Sequence, residues 1–494
     1  MASRNLTLMT DLYQLTMMQG YFKENKNNNV IFDMFFRTNP CNGGYAITAG
    51  LEQVIEYIEN LHFSPEDIDY LQSTGLFTED FLDYLRDFKF TGDIYGIPEG
   101  TVVFPHEPLL KVIAPAIEAQ LVETAILNII NHQSLIATKA ARVVYAAQGD
   151  GIMEFGLRRA QGPDAGIYGA RAAMIAGCIG TSNVLAGQMF NVPIKGTHAH
   201  AWIMNFPDEL TAFRTYAKLY PSACILLVDT YDTLRSGVPH AIQVFKEMRE
   251  AGIPLTFYGI RLDSGDLAYL SKEAKKMLDA AGFTDAVISA SSDLDEYLID
   301  SLKSQGATIN SWGVGTNMIT SSNWSAFGGV YKLAAVQNED GSWTPKIKLS
   351  ENVAKVTNPG NKTVFRIYSN LHKKIIADVI SLADETINPD EPLLLFDPVS
   401  TWKKTRLKGG TYSVRELLVP IFKNGECVYT SPSLMDIREN CLAEQNTLWE
   451  ETRRLVNPHH LYIDLSQKLW DMKHELIDRI SEEKHREMDS LKEE

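Results

Sequence analysis

Cysteine is scarce in this chain, and what there is cannot build a scaffold. The 494 residues hold five cysteines (Cys41, Cys178, Cys224, Cys427 and Cys441), far apart and without a C-x-x-C pair. A disulfide framework and a structural zinc site are both disfavoured, and a reducing, cytoplasmic setting is expected. No apolar run approaches the roughly 18–20 residues needed to span a bilayer, so no transmembrane helix is expected. Met1-Ala2-Ser3-Arg4-Asn5 lacks the basic-then-apolar order of a signal peptide. Positive charge is also short: 46 Lys and Arg against 62 Asp and Glu leave a formal net charge of −16. That balance argues against a protein that coats nucleic acid, although a local arginine cluster can still hold an anionic small molecule. No internal repeat, low-complexity segment or Walker pattern G-x-x-x-x-G-K-[ST] occurs, so any ATP is not held by that kind of phosphate loop.

What is present reads as a globular protein, 45% hydrophobic and 22% charged, long enough for two or three domains. Residues 1–130 predict an α/β N-terminal domain. It has a helix over 8–22 with Thr10 as N-cap, a strand over 30–37, helices near 50–61, 64–73 and 78–88, and short antiparallel strands over 91–114. A helical pattern over 116–148, broken near Asn131, leads into residues 131–335. There, apolar strand candidates recur at Gly151–Phe155, Val192–Lys195, Cys224–Asp229, Leu255–Ile260, Ala286–Ala290 and Asn310–Val314. Helical patterns such as 207–219, 239–251 and 266–281 separate most of them. This alternation predicts a parallel sheet, curled into an irregular α/β barrel packed against the N-terminal domain. Residues 336–494 are strand-rich to about 430 and partly return to the N-terminal domain. They then turn charged and helical, with a frayed end at Asp489–Glu494.

Functional groups of parallel α/β barrels cluster at the carboxyl ends of the strands. Just past the strand candidates stand Glu154 to Asp164 (EFGLRRAQGPD), Gly196-Thr197-His198-Ala199-His200, Asp229-Thr230-Tyr231-Asp232, Arg261-Leu262-Asp263-Ser264-Gly265-Asp266, Ser291-Ser292-Asp293 and Gly313-Val314-Gly315-Thr316. This set suits phosphate handling. Ser264-Gly265-Asp266 precedes a helix whose N-terminus can hold an anion, and Gly313-Val314-Gly315-Thr316 offers a second backbone cradle. Either alone reads better as a turn, but their joint placement after successive strands favours anion binding. Arg158-Arg159 at a strand end offers forked donors, and Phe155 is either core packing or a face for a flat ring. Asp229, Asp232 and Asp293 lie on the same rim, where carboxylates hold metal, ribose or only a neighbouring cation.

His198 and His200 admit three readings: a structural pair in a turn, the start of a metal site, or a nucleophile that accepts a phosphoryl group. A metal site needs further ligands from later strands. The remaining histidines do not fall at those ends, which demotes a metal-dependent barrel hydrolase.

The blocks Asp11-Leu12-Tyr13-Gln14, Phe36-Arg37-Thr38-Asn39-Pro40, Glu154 to Asp164, Ser182 to Gly187 (SNVLAG), Gly196 to His200, Arg261 to Asp266 and Gly313 to Thr316 occur in order. Together they closely resemble the nicotinate phosphoribosyltransferases, which are type II phosphoribosyltransferases. The resemblance implies an α/β barrel with an α/β N-terminal domain, a homodimer, and the ATP- and Mg²⁺-dependent conversion of nicotinate and phosphoribosyl pyrophosphate to nicotinate mononucleotide in NAD salvage. It implies that His200 is the phosphorylated histidine, that Tyr13 and Phe155 sandwich the pyridine ring, and that Arg158, Thr197 and Arg261 meet nicotinate. It also implies a phosphoribosyl site of Asp11, Arg37, Asp263, Ser264, Gly265, Gly315 and Thr316, with Arg37 reaching the diphosphate from the partner of a dimer. His198 receives no catalytic role and the Mg²⁺ ligands stay open. The nearest alternative is a nicotinamide phosphoribosyltransferase. Those enzymes resemble this chain but carry an aspartate at the position of Ser182, where a neutral serine avoids repelling a carboxylate. Outside this class, a non-catalytic nucleotide-binding scaffold predicts binding without turnover.

Overall fold

Strand-helix alternation in the middle third produces a parallel sheet because each helical crossover returns the chain in the same direction. The computed structural model describes residues 5–350 and 355–493 and divides into two compact units. One unit comprises the chain up to Leu135, Ala326–Ser433 and the chain from Asn440. The other comprises Ile136–Ser325 and Leu434–Glu439.

The second unit carries the barrel sheet. Its strands stand in the order Gly180–Thr181, Gly151–Glu154, Ser311–Val314, Val287–Ala290, Tyr258–Leu262, Cys224–Leu227. Every neighbouring pair is parallel. The helices Pro163–Ile175, Val238–Glu250, Leu267–Ala280 and Glu296–Ser304 form crossovers. Ile152, Leu226, Ile260, Ile288 and Trp312 are buried in the core. Each such burial is worth about 1.5–3 kcal/mol relative to exposure. A buried ion triad, Glu296 with Lys139 at 2.6 Å and Arg142 at 3.0 Å, ties the crossover helix Glu296–Ser304 to the helix Glu123–Ala146. Those cations hold the Glu296 carboxyl below its ordinary range even though burial opposes ionisation.

The expected strand Val192–Lys195 shrinks to a single parallel bridge between Ile194 and Thr181. Pro193 has no N–H to give a ladder, which accounts for the loss. The two-residue strand Gly180–Thr181 takes the place beside it. Gly180 is required there, because a Cβ would stand 2.4 Å from Lys195 Cγ and 2.9 Å from the Pro193 carbonyl oxygen. Across the remaining gap the Leu227 N–H points at His198 Nε2, 3.4 Å away. His198 therefore bridges the seam between its own segment and the last strand.

In the first unit, strands from distant parts of the sequence interleave. One antiparallel sheet runs Trp343–Pro345, Val330–Gln337, Asn29–Phe35, Leu110–Pro115, Asp93–Gly96, Val419–Lys423, Glu426–Cys427. A second sheet orders Tyr412–Glu416, Lys362–Ser369, Ile375–Leu382, Tyr462–Leu465, of which the last pair is parallel. The strand Tyr462–Leu465 interrupts a stretch expected to be helical throughout. Ser64 caps the helix Pro65–Ser73 with a full capping box, as its sequence predicts. The first helix runs Leu12–Lys23 instead of 8–22, with Asp11 rather than Thr10 at its N-cap. The long helical pattern breaks at Val122, between Ala116–Leu121 and Glu123–Ala146, and not at Asn131. Asn131 accepts a hydrogen bond from the Gly329 N–H, so its amide is not competing for its own helix's backbone. The final helix extends from Gln467 to Glu493, where a frayed end was expected, and Glu494 lies outside the described residues. Among the described residues, no helix is long and apolar enough to cross a membrane.

Candidate active site

The carboxyl ends of the barrel strands open on one cleft of about 380 Å³ within the second unit. Its lining brings together Phe155, Arg158, Thr197, Arg261, Asp263, Gly315 and Thr316 from the sequence-predicted set. Ser182, Ser291 and Asp293 join them. His200 stands beside this cleft, while Ser264 and Gly265 lie exposed at the start of the helix Leu267–Ala280. Asp11, Tyr13 and Arg37 belong to the first unit.

The floor follows from a pair of glycines and a buried acid. Phe155 lies directly over Gly313, where a Cβ would meet its ring at 2.5 Å. Its backbone N–H is bonded to the Val314 carbonyl at 2.8 Å. Glu154 is fully buried and accepts from the Thr181 hydroxyl and the Gly156 N–H, fixing the corner that carries Phe155. Burial raises its carboxyl. Replacing Gly313 with alanine is expected to displace the Phe155 ring and raise the KM for a flat aromatic substrate roughly tenfold, with kcat much less affected. Steady-state kinetics on G313A checks this; an unchanged KM would contradict the ring's role as a floor.

Arg261 is the most constrained cation of the cleft. Its Nε donates to Ser291 Oγ at 3.0 Å, and its Nη1 donates to Thr197 Oγ1 at 2.5 Å and to the His198 carbonyl at 3.1 Å. Nη2 has only a long contact of 3.4 Å to Asp263, whose carboxylate also takes the Ser291 hydroxyl proton. A guanidinium carries five N–H donors, so Nη2 retains capacity for a carboxylate ligand held in a fixed direction.

His200 opens the short helix His200–Met204. Its Nδ1 is 3.0 Å from Thr230 Oγ1, while its Nε2 faces Asp263 at 3.7 Å and Asp229 at 3.9 Å. Asp229 is nearly inaccessible: its Oδ2 accepts from the Asp263 N–H at 2.8 Å and Ser264 Oγ at 2.7 Å, and its Oδ1 is buried without a partner. The sequence places Asp229 only generally on the rim, because a lone carboxylate after a strand has no distinguishing spacing. The structure makes it the hub beneath His200, Asp263 and Ser264. Asp232 instead caps its own helical turn through the Arg235 N–H.

His198 behaves differently from His200. It is buried among Trp202, Phe213 and Tyr216, and burial pushes its pKa down to about 4, so it stays neutral at ordinary pH. It cannot join His200 as a second metal ligand while it spans the seam to Leu227. Among the described residues, no group of three or more His, Cys, Asp or Glu is arranged to hold a metal.

In the first unit, Asp11 accepts the Thr124 hydroxyl proton at 3.1 Å and Tyr13 is 49% exposed at the start of its helix. Burial and the neighbouring Glu123 and Asp11 raise the Tyr13 hydroxyl pKa. Arg37 has a buried Nε without a hydrogen-bond partner.

Known proteins resemble this chain over most of its length. Residues 8–131 match the nicotinate phosphoribosyltransferase (NAPRTase) N-terminal domain, 151–369 the NAPRTase family and 361–473 its C-terminal domain. The nicotinate phosphoribosyltransferase of Bacillus subtilis is 48% identical, with 97% of each chain covered. That of Homo sapiens is 31% identical over 94% of this chain and 95% of the relative. The crystal structure of human nicotinic acid phosphoribosyltransferase aligns with a TM-score of 0.80 at 29% identity, covering 95% of this chain and 99% of that one. The chain belongs to the nicotinate phosphoribosyltransferase family.

Proposed function

We propose that this member of the family, acting in NAD salvage, couples phosphoribosyl transfer from phosphoribosyl pyrophosphate to nicotinate with ATP hydrolysis through phosphorylation of His200. The observation that carries the proposal is the orientation of that ring. Nε2 faces two carboxylates and Nδ1 faces the Thr230 hydroxyl, and in the Nε2–H tautomer the Nδ1 lone pair would be the nucleophile. Nδ1 attacks the γ-phosphorus in line, the N–P bond forms, the P–O bond to ADP breaks, and ADP leaves with the electron pair. Water later cleaves the N–P bond to give phosphate. Phosphorylation would favour the substrate-binding state, and hydrolysis would favour release.

Phosphoribosyl transfer itself needs positioning more than activation. Displacement at the anomeric carbon builds oxocarbenium character, and the pyridine nitrogen is already nucleophilic. Phe155 would carry one face of the ring, with Tyr13 the other, and Arg261, Thr197 and Arg158 would hold the carboxylate. Asp263, Ser264, Gly265, Gly315, Thr316 and Asp11 would serve the ribose phosphate. The unpartnered Nε of Arg37 suits a diphosphate oxygen, reached from the partner subunit of a homodimer.

Mg²⁺ usually takes one or two carboxylates, several waters and substrate phosphates. The orphaned Asp229 Oδ1 beside Asp263 fits that donor set, so these two residues would hold it. When bound, the ion offsets charge on the diphosphate. The five cysteines form no disulfide among the described residues, which supports a reducing, cytoplasmic setting.

Nicotinate is favoured over nicotinamide because Ser182, in the cleft, is neutral. Ser182→Asp is expected to raise the nicotinamide-to-nicotinate ratio of kcat/KM at least roughly tenfold, by repelling a carboxylate and accepting from an amide. Chromatography of the mononucleotide products, with ATP consumption followed in parallel, tests both parts. Preference for nicotinamide in the wild type, or product formed with no ATP consumed, would overturn the reading.

A further inference from the structure

We propose that the first unit carries a second small-molecule site, separate from the catalytic cleft, for an amphipathic monocarboxylate whose acid group pairs with Lys473. The site is a cavity of about 610 Å³ between the final helix and the sheet that holds the strand Tyr462–Leu465. That volume falls in the roughly 300–1,000 Å³ range of small-molecule pockets. Ile380, Ile463, Leu465 and Ile477 make its body apolar, and the Trp470 indole forms a wall. The wall is fixed: Trp470 Nε1 donates to the Pro398 carbonyl at 3.2 Å, and its ring stacks on His474 at 3.7 Å. His474 Nδ1 is in turn bonded to the Trp470 carbonyl at 2.7 Å.

The polar end contains a cation without an anion. Lys473 Nζ donates to Asn358 Oδ1 at 2.9 Å, and among the described residues no carboxylate stands within ion-pair distance of it. An ammonium has three donors, so capacity remains. Burial, with Lys362 nearby, lowers its pKa, which an incoming anion would reverse. The neighbouring Lys362 is already neutralised by Asp33 at 2.7 Å. His106 also lines the cavity, and burial together with Lys473 and Arg37 pushes it down to about 4, leaving it neutral. One uncompensated charge above a long apolar body matches a monocarboxylate. A di- or triphosphate would need more cations, and a neutral lipid would leave Lys473 unpaired.

Calorimetric titration of the full chain with octanoate tests this, with 1-octanol as the neutral probe of similar body. Octanoate should bind saturably to the wild type and equally to Arg261→Met, which alters only the catalytic cleft. Lys473→Met should weaken binding at least roughly tenfold, the loss of one charge-assisted hydrogen bond. Ile477→Trp, which keeps the lysine and fills the apolar end, should weaken it as well. 1-Octanol should bind more weakly to the wild type and be indifferent to K473M. Absence of saturable octanoate binding, equal binding to K473M, or loss of binding in R261M would overturn the proposal.

Discussion

Replacing Arg261 with methionine is expected to raise the KM for nicotinate roughly a hundredfold or more, since each charge-assisted hydrogen bond lost is worth about 1.5–3 kcal/mol. The guanidinium is braced by Ser291, Thr197 and the His198 carbonyl, which leaves Nη2 aimed where a carboxylate can meet it. Methionine preserves much of the stem's packing but offers no donor. A role confined to bracing would appear differently. The melting temperature would fall, and the KM values for nicotinate and phosphoribosyl pyrophosphate would rise together. Initial-rate measurements with each substrate varied separately decide between the two. A nicotinate KM unchanged in R261M would remove Arg261 from substrate recognition. Arg261→Lys is expected to recover little, because an ammonium cannot satisfy Ser291, Thr197 and a ligand at once.

His200→Asn should separate the two half-processes. ATP turnover is expected to fall at least roughly a thousandfold, since the nucleophile itself is removed. Slow uncoupled transfer should persist, because the ring-holding residues Phe155, Thr197 and Arg261 remain. Asparagine retains a polar partner for Thr230, so the fold should be unaffected. Equal ATP turnover in wild type and H200N would exclude His200 as the phosphoryl acceptor.

Much of this site was legible in the sequence because parallel strands deliver their carboxyl ends to one face. Once Cys224–Asp229, Leu255–Ile260 and Asn310–Val314 read as strands, the residues at their ends had to converge, although the middle one runs Tyr258–Leu262 and carries Arg261 within the strand. What escaped was whatever lacked periodicity or spacing. Gly180–Thr181 is too short to show alternation, and its role depends on the segment around Pro193, which cannot pair as a full strand. His198 is indistinguishable from His200 by type; only burial among three aromatic rings and the Leu227 contact mark it as a seam residue. Asp229 depends on hydrogen bonds to Asp263 and Ser264, some 35 positions away in sequence. The pairing of Val330–Gln337 with Asn29–Phe35 is likewise invisible locally, since register across about 300 residues is set by packing alone.

Incubation of the protein with γ-labelled ATP and Mg²⁺, followed by acid and alkaline treatment, tests the phosphohistidine most directly. Label should appear on the wild-type chain as acid-labile, base-stable phosphate, map to the peptide containing His200, and be absent from H200N. Label retained by H200N, or phosphate that survives acid, would contradict it.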